Sequence, residues 1–312
     1  MDEIAVLEKA IGEIAVCARE QGLDFYPMRF EICPAEIIYT FGAYGIPTRY
    51  SHWSFGKAYY RIKTQYDYGL NRIYELVINT QPCYAFLLAG NSLVQNKLVI
   101  AHVLAHSDFF KNNAYFSHTA GDMLEIMAQA AAHIREYEMV YGRDRVEEFL
   151  DAVLAVSEHV NPYRFIKRSA PVGGGRSNSE CGSRRCKGLD PPGQEKKPSL
   201  GIKREPKTLA PEKDLLLFIM ENSPALADWE RDIIGIVREE TLYFWPQLTT
   251  RILNEGWATY WHVRLMRSLD LGEADALEFA RMHAELIQPG RLFLNPYLVG
   301  LRILEDIERR WG

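Results

Sequence analysis

The string NKLVIAHVLAHSDFF, residues 96–110, decides what kind of fold this chain adopts. Its density of apolar residues and its lack of Gly and Pro predict a helix that is buried on most sides. His102 and His106 are four positions apart, so they project from one face of this helix and can share a metal ion. The alternative is a pair of core histidines whose nitrogens bond to backbone carbonyls or to a buried carboxylate.

A second string, RILNEGWATYWH at residues 251–262, carries a carboxylate and an imidazole on one helical stripe. Glu255 and His262 are seven residues apart, which is about two helical turns. Small residues between them would allow another helix to approach closely. If this stripe faces the first helix, Glu255 completes a His/His/Glu set and His262 lies beside it. The alternative is structural: Asn254 caps a helix, and Glu255 benefits from the helix dipole.

The position that carries the general base in His-Glu-x-x-His peptidases is Val103 in this chain. A valine side chain cannot accept a proton, so ordinary zincin proteolysis is not expected. Asp108, Glu239 or Glu240 could replace the missing base. Of these we select Asp108, and we predict that it takes part in catalysis together with His262.

The rest of the sequence predicts an α+β fold that is mainly helical and contains a small sheet. Two short apolar runs, 74–79 and 83–88, flank Thr80-Gln81-Pro82 and predict a β-hairpin. Helical patterns begin at the N-terminus, near Pro34 and near Trp53, and recur along the chain. Those in the remainder are predicted near 94–111, 121–141, 144–160, 213–221, 225–245, 248–269, 273–286 and 296–310.

One segment differs from the rest in composition. Residues 167–213 hold 12 Lys/Arg against 5 Asp/Glu and almost no large apolar side chains, which predicts a flexible basic linker or insert. It separates 1–166, the aromatic-rich half that carries the His-x-x-x-His helix, from 214–312, a helical half. We predict that both halves belong to the same core.

Composition restricts the class of protein further. The 312 residues are 47% hydrophobic, which is enough for a sizeable core, and the net charge of −5 argues against a nucleic-acid partner. Charges and histidines break every apolar stretch before the ~20 residues that a membrane span needs. The acidic N-terminus does not look like a signal peptide, and five cysteines form no even disulfide framework. A cytoplasmic location is therefore predicted.

At the two histidine-bearing strings the chain resembles the stage V sporulation protein R (SpoVR) family. The resemblance covers 45–113, 214–262 and 280–311, in that order, and includes IAHVLAHSDFFKNN, ILNEGWATYWH and FLNPYLVGLRILEDIERRW. It implies a role in forming the spore cortex. It also implies a link to a serine protein kinase and to stress responses in bacteria that do not sporulate. Relatives usually continue past the equivalent of Trp311, so the resemblance implies a C-terminal region that this chain lacks.

The family's His-x-x-x-His and Asn-Glu-Gly-Trp-Ala motifs resemble the metal-binding helices of zincin-like hydrolases. This resemblance implies zinc held by His102, His106 and Glu255, with His262 as an outer group or transition-state stabiliser. The leading hypothesis is accordingly a metal-binding hydrolase or pseudo-hydrolase. The alternative is a non-catalytic regulatory or scaffold protein whose polar helices form a buried hydrogen-bond network and whose basic insert contacts an acidic partner.

Overall fold

The structure is a computed structural model that describes residues 3–68, 76–162, 213–290 and 294–312. The described residues form eleven α-helices and three strands, which confirms the predicted helix-rich α+β class. The helices are α1 (Glu3–Glu20), α2 (Ala35–Tyr44), α3 (Trp53–Asp67), α4 (Leu93–Asn112), α5 (Met123–Tyr141), α6 (Arg143–Ala155), α7 (Leu215–Asn222), α8 (Asp228–Thr249), α9 (Arg251–Ser268), α10 (Glu273–Leu286) and α11 (Pro296–Trp311). The strands are β1 (Met28–Cys33), β2 (Leu76–Ile78) and β3 (Cys83–Leu88).

The three strands form one mixed sheet with β3 in the centre. The antiparallel β2–β3 pair, in which Ile78 lies opposite Tyr84, is the predicted hairpin. β1 was not predicted. It pairs in parallel with β3, from Met28 opposite Cys83 to Cys33 opposite Leu88. Residues Met28 to Ile32 do alternate apolar and polar side chains, but a parallel pair needs a long crossover, here through α2 and α3, so no turn signal identifies the partner strand.

α4 is mostly buried, and it carries the two histidines. Thirteen of its 20 residues are buried, including His102 and His106. A capping box fixes its start, because the amide of Gln95 donates to Oγ of Ser92 (3.2 Å) and the amide of Ser92 donates to Oε1 of Gln95 (2.9 Å). α4 packs against α1 on one side and α9 on another, so α9 faces the two histidines.

Two large apolar clusters organise the packing, and each draws residues from before 163 and after 212. One joins α5 and α6 to α7 and α8, with Ile134 and Ile233 fully or almost fully buried. The other joins α1, β3 and α4 to α9 and α10, with Leu104 and Leu265 in its interior. The predicted basic linker over 167–213 lies, apart from Lys213, outside the described residues.

α9 and α11 approach each other so closely that their backbones touch. A Cβ added to Gly256 would collide with the backbone of Gly300, and one added to Gly300 would collide with the carbonyl oxygen of Ile252. Glycine is required here because any side chain would push the helices apart. α9 therefore packs against α11 as well as against α4. None of the described helices is both long and apolar enough to cross a membrane.

Candidate metal centre

Three potential metal ligands converge between α4 and α9. The ligand atoms of His102, His106 and Glu255 all lie within 4.8 Å of one another. Oε2 of Glu255 is 3.8 Å from Nε2 of His102 and 3.6 Å from Nε2 of His106. Two zinc ligands bonded at about 2.1 Å with a tetrahedral angle lie roughly 3.4 Å apart. The three side chains therefore fit a shared ion after small adjustments, as the sequence predicted.

The two histidines are buried and the carboxylate is partly open. His102 is 0% and His106 4% exposed, whereas the Glu255 side chain is 17% exposed. Part of the Glu255 side chain is therefore at the surface, but its Oε2, the oxygen nearest the histidines, is buried, as is Nε2 of His102.

His106 is held in one tautomer by its neighbour on α9. Its Nδ1 lies 2.8 Å from Oδ1 of Asn254, which can only accept, so Nδ1 carries the proton. In a neutral ring Nε2 then carries the lone pair, 3.6 Å from Oε2 of Glu255. A cation between the two, either a proton or a metal ion, would be attracted to both the lone pair and the carboxylate. The suggestion that Asn254 caps the helix was wrong, since α9 begins at Arg251 and Asn254 is buried inside it.

His102 belongs to a row of three imidazoles. Its Nδ1 lies 2.9 Å from Nδ1 of His262, whose Nε2 lies 3.1 Å from Nδ1 of His283. His262 is fully buried, and burial together with the neighbouring histidines lowers its pKa well below the ordinary value. Burial and the charge of Arg267 also lower the pKa of His283. Both rings are thus neutral near pH 7.

Glu255 is ionised in this setting. Burial by itself would raise its pKa, but hydrogen bonding to His102 and the nearby charge of His106 outweigh burial, so the pKa lies below its ordinary value. An ionised carboxylate next to two imidazoles is the protonation state that binding of a divalent ion requires.

Asp108 has other partners. Its Oδ1 accepts from the amide of Asp24 (2.7 Å) and from Nδ2 of Asn112 (3.1 Å), and its Oδ2 accepts from Nε1 of Trp257 (2.8 Å). Burial raises the pKa of Asp108 despite these donors. The carboxylate thereby joins α4, α9 and the segment before β1. Three donors already engage this carboxylate, and the catalytic role predicted for Asp108 stays a prediction.

Neither of the other two candidate bases belongs to the group of three ligands. Glu240 is buried, forms an ion pair with Arg49 and accepts from the hydroxyl of Tyr50 (3.1 Å). Burial raises the pKa of Glu240. Glu239 borders a mostly apolar cavity of about 520 Å³ beside Tyr115 and Trp245. Val103 itself is fully buried.

Sequence reasoning missed the contribution of two residues. Asn254 precedes Glu255, and its amide was explained by helix capping, which Asn favours in general. Tyr297, near the start of α11, has its ring centroid 6.0 Å from that of His102. No spacing rule links Tyr297 to α4; only the glycine contact between α9 and α11 brings it there. His283, by contrast, is followed by Gln288-Pro289-Gly290, a helix-breaking sequence that is a signal for a loop near the site.

Fold and site together define a class: a helix-rich α+β protein with a His/His/Glu cluster between two packed helices. A family model described as "SpoVR like protein" matches residues 2–312, so the chain belongs to the SpoVR family. This membership supports an association with sporulation.

One curated relative is an uncharacterized protein, YcgB, of Escherichia coli strain K12. The two are 33% identical over 326 residues, which cover 97% of this chain and 64% of the relative. The chain therefore spans less than two thirds of the length of the relative. No solved structure matches the chain.

Proposed function

We propose that this chain is a metal-binding, zincin-like hydrolase or pseudo-hydrolase that holds zinc through His102, His106 and Glu255. The observation that carries the proposal is the convergence of two imidazole Nε2 atoms and one carboxylate oxygen between α4 and α9. Each imidazole contacts another polar side chain through its Nδ1, as metal-ligating histidines almost always do.

The donor set favours zinc over calcium or magnesium. Calcium and magnesium prefer oxygen ligands, whereas two imidazoles and one carboxylate suit zinc and leave a fourth position for solvent or substrate. When bound, the ion would supply a Lewis acid that polarises a carbonyl or phosphoryl oxygen.

The chain's own residues have distinct tasks in this proposal. His102 and His106 exclude water from the inner side of the cluster, since both are buried. Glu255 supplies negative charge to the cluster. His262 holds the ring of His102 at Nδ1, which makes it an outer, positioning group. Among the described residues, the cluster contains no second carboxylate to serve as base.

Because the cluster lacks such a base, the proposal includes both a hydrolase and a pseudo-hydrolase. A base could be supplied by the substrate or by a partner. If neither does so, the site binds metal and a ligand without turning it over. In that case the same site would have a regulatory role.

The cellular part of the proposal rests on the family. We infer a role in spore cortex formation from the cytoplasmic side, and a functional link to a serine protein kinase. Both were implied by the SpoVR resemblance, and family membership supports them only at the level of sporulation.

Metal analysis of the purified chain tests the central claim. After zinc reconstitution and removal of free metal, elemental analysis should find one zinc per chain. His102→Ala and Glu255→Gln should lose it while circular dichroism shows that the fold persists. His133→Ala is the matched control, because His133 lies on α5 with its side chain 55% exposed and contacts Asp232. Wild-type protein that stays metal-free after reconstitution would overturn the proposal.

A second measurement separates hydrolase from pseudo-hydrolase. Zinc-loaded protein is incubated with fluorogenic peptide, ester and amide substrates, and Glu255→Gln is run beside it. Turnover that needs both zinc and Glu255 would establish a hydrolase. Zinc loading without turnover of any of these substrates would favour the regulatory role.

A further inference from the structure

The row of imidazoles that begins at the metal cluster continues to the protein surface. Two nitrogen–nitrogen contacts, of 2.9 and 3.1 Å, link His102 to His262 and His262 to His283. His283 is only partly buried and lines a polar groove of about 170 Å³ between α9, α10 and α11. The other polar residues of this groove are Tyr260, Arg264, Arg267, Glu305 and Glu308.

We propose that His102, His262 and His283 form a directional hydrogen-bond relay whose direction reverses when metal binds, so that the groove senses metal occupancy. The relay rests on the proposed metal site for its trigger. Its hydrogen-bond connectivity rests on the two contacts alone.

The metal-loaded direction follows from the valence of the rings. A neutral imidazole carries one proton, on either Nδ1 or Nε2. If Nε2 of His102 binds the ion, its proton is on Nδ1 and is donated to Nδ1 of His262. The proton of His262 is then on Nε2 and is donated to Nδ1 of His283. His283 consequently carries its own proton on Nε2, on the far side of its ring from His262.

Without metal, the carboxylate of Glu255 favours the opposite order. Its Oε2 lies 3.8 Å from Nε2 of His102 and attracts the proton of that ring to Nε2. Nδ1 of His102 then accepts from Nδ1 of His262, and Nε2 of His262 accepts from Nδ1 of His283. In this state Nε2 of His283 is an acceptor.

The two states differ by a balanced set of proton moves. On metal binding, the Nε2 proton of His102 is released to solvent, and the Nδ1 proton of His262 moves to Nδ1 of His102. The Nδ1 proton of His283 moves to Nε2 of His262, and Nε2 of His283 takes one proton from solvent. Each ring holds one proton before and after, so no ring changes its charge. In the groove, which Glu305 also lines, His283 exchanges an acceptor for a donor.

Nitrogen NMR on the full chain with ¹⁵N-labelled histidine tests the reversal, because the shifts of the two ring nitrogens report which one is protonated. The chain has eight histidines, and His262→Gln and His283→Gln assign the relevant signals. We expect the proton of His262 to be on Nδ1 in metal-free protein and on Nε2 after one equivalent of zinc. Zinc that binds without changing this tautomer would reject the relay and leave the metal site standing.

A second comparison tests the connectivity without metal. His283→Leu removes the partner of His262, so the nitrogen signals of both His262 and His102 should shift in metal-free protein. His283→Gln keeps a donor and an acceptor and should retain the zinc-dependent change at His262. His133→Leu, on the surface of α5, should leave both signals in place. Unchanged His102 and His262 signals in His283→Leu would overturn the relay whether or not zinc binds.

Discussion

Nδ1 of His106 lies 2.8 Å from Oδ1 of Asn254, across the interface between α4 and α9. The amide oxygen can only accept, so it selects the tautomer in which Nε2 of His106 presents a lone pair to Glu255. Both partners are buried, at 4% and 7% exposure, so water does not compete strongly for this bond. The contact orients His106 as a metal ligand, and it also positions Glu255, the next residue of α9.

Replacing Asn254 should therefore weaken metal binding without removing a ligand. We expect Asn254→Leu to bind zinc roughly 10–100-fold more weakly, the usual cost of losing such a supporting bond. Competition with a chromophoric chelator measures the affinity. Asn222→Leu, at the exposed end of α7, should bind zinc like the wild type. Wild-type affinity in Asn254→Leu would show that the His106 tautomer is set by other means.

Asp214 should give the fold a stability that depends on pH. It is fully buried, caps α7 through the amide of Leu217 (3.0 Å) and accepts from Nε and Nη2 of Arg238 at 3.0 and 2.8 Å. Burial would raise its pKa, but these donors outweigh burial and hold the pKa below the ordinary value. The stabilisation is therefore complete above about pH 4 and is lost as the pH falls through the folded-state pKa.

Asp214→Asn should thus lower the free energy of unfolding by about 3 kcal/mol at pH 7, because it leaves the guanidinium of Arg238, whose side chain is only 14% exposed, without its counter-charge. Urea denaturation at several pH values measures the loss, which should shrink as the pH falls below 4. Asp67→Asn removes an exposed pair with Lys63 and should cost less than about 1 kcal/mol. A loss for Asp214→Asn that does not change with pH would contradict this role of the carboxylate.

How far the sequence predicts the site depends on the range of each contact. The spacing of His102 and His106 is local, so a helical pattern was enough to place both on one face. Glu255 is 149 positions beyond His106, and only the resemblance to zincin-like helices suggested that the two helices meet. Asn254 was misjudged because its preference for helix starts is general, whereas its partner is a distant histidine.

For the fold, too, local contacts were predicted and long-range contacts were not. The β2–β3 hairpin was predicted because its strands are adjacent in sequence and flank Thr80-Gln81-Pro82. β1 was not predicted, although Met28 to Ile32 alternate apolar and polar residues, because its partners in β3 lie 55 positions further along the chain. Non-local pairing leaves little trace in a single sequence.

The contact between Gly256 and Gly300 gives a stability prediction with an internal control. Gly256→Ala should destabilise the protein by at least 1–3 kcal/mol, because the new methyl group meets the backbone of α11, which cannot rotate away. Gly235→Ala, inside α8, places its methyl group 3.8 Å from Sδ of Met220, which is ordinary contact, and should be neutral or stabilising by about 0.5–1 kcal/mol. Equal stability of the two variants in urea would mean that α9 and α11 do not touch in solution.

Zinc should stabilise the folded chain only while its ligand set is intact. An ion that binds the native state but not the unfolded chain adds RT ln(1 + [L]/Kd), which is about 2.7 kcal/mol at a hundredfold excess over Kd. A thermal melt with zinc should therefore shift upwards in the wild type, and EDTA should reverse the shift. Glu255→Gln keeps the shape of the side chain but removes its charge, so the melting temperature of this variant should not respond to zinc.

Histidines outside the cluster can also bind zinc, and His133→Ala is the control for this. The zinc-dependent shift of this variant should equal that of the wild type. A zinc response that survives in Glu255→Gln would place the bound ion elsewhere on the chain.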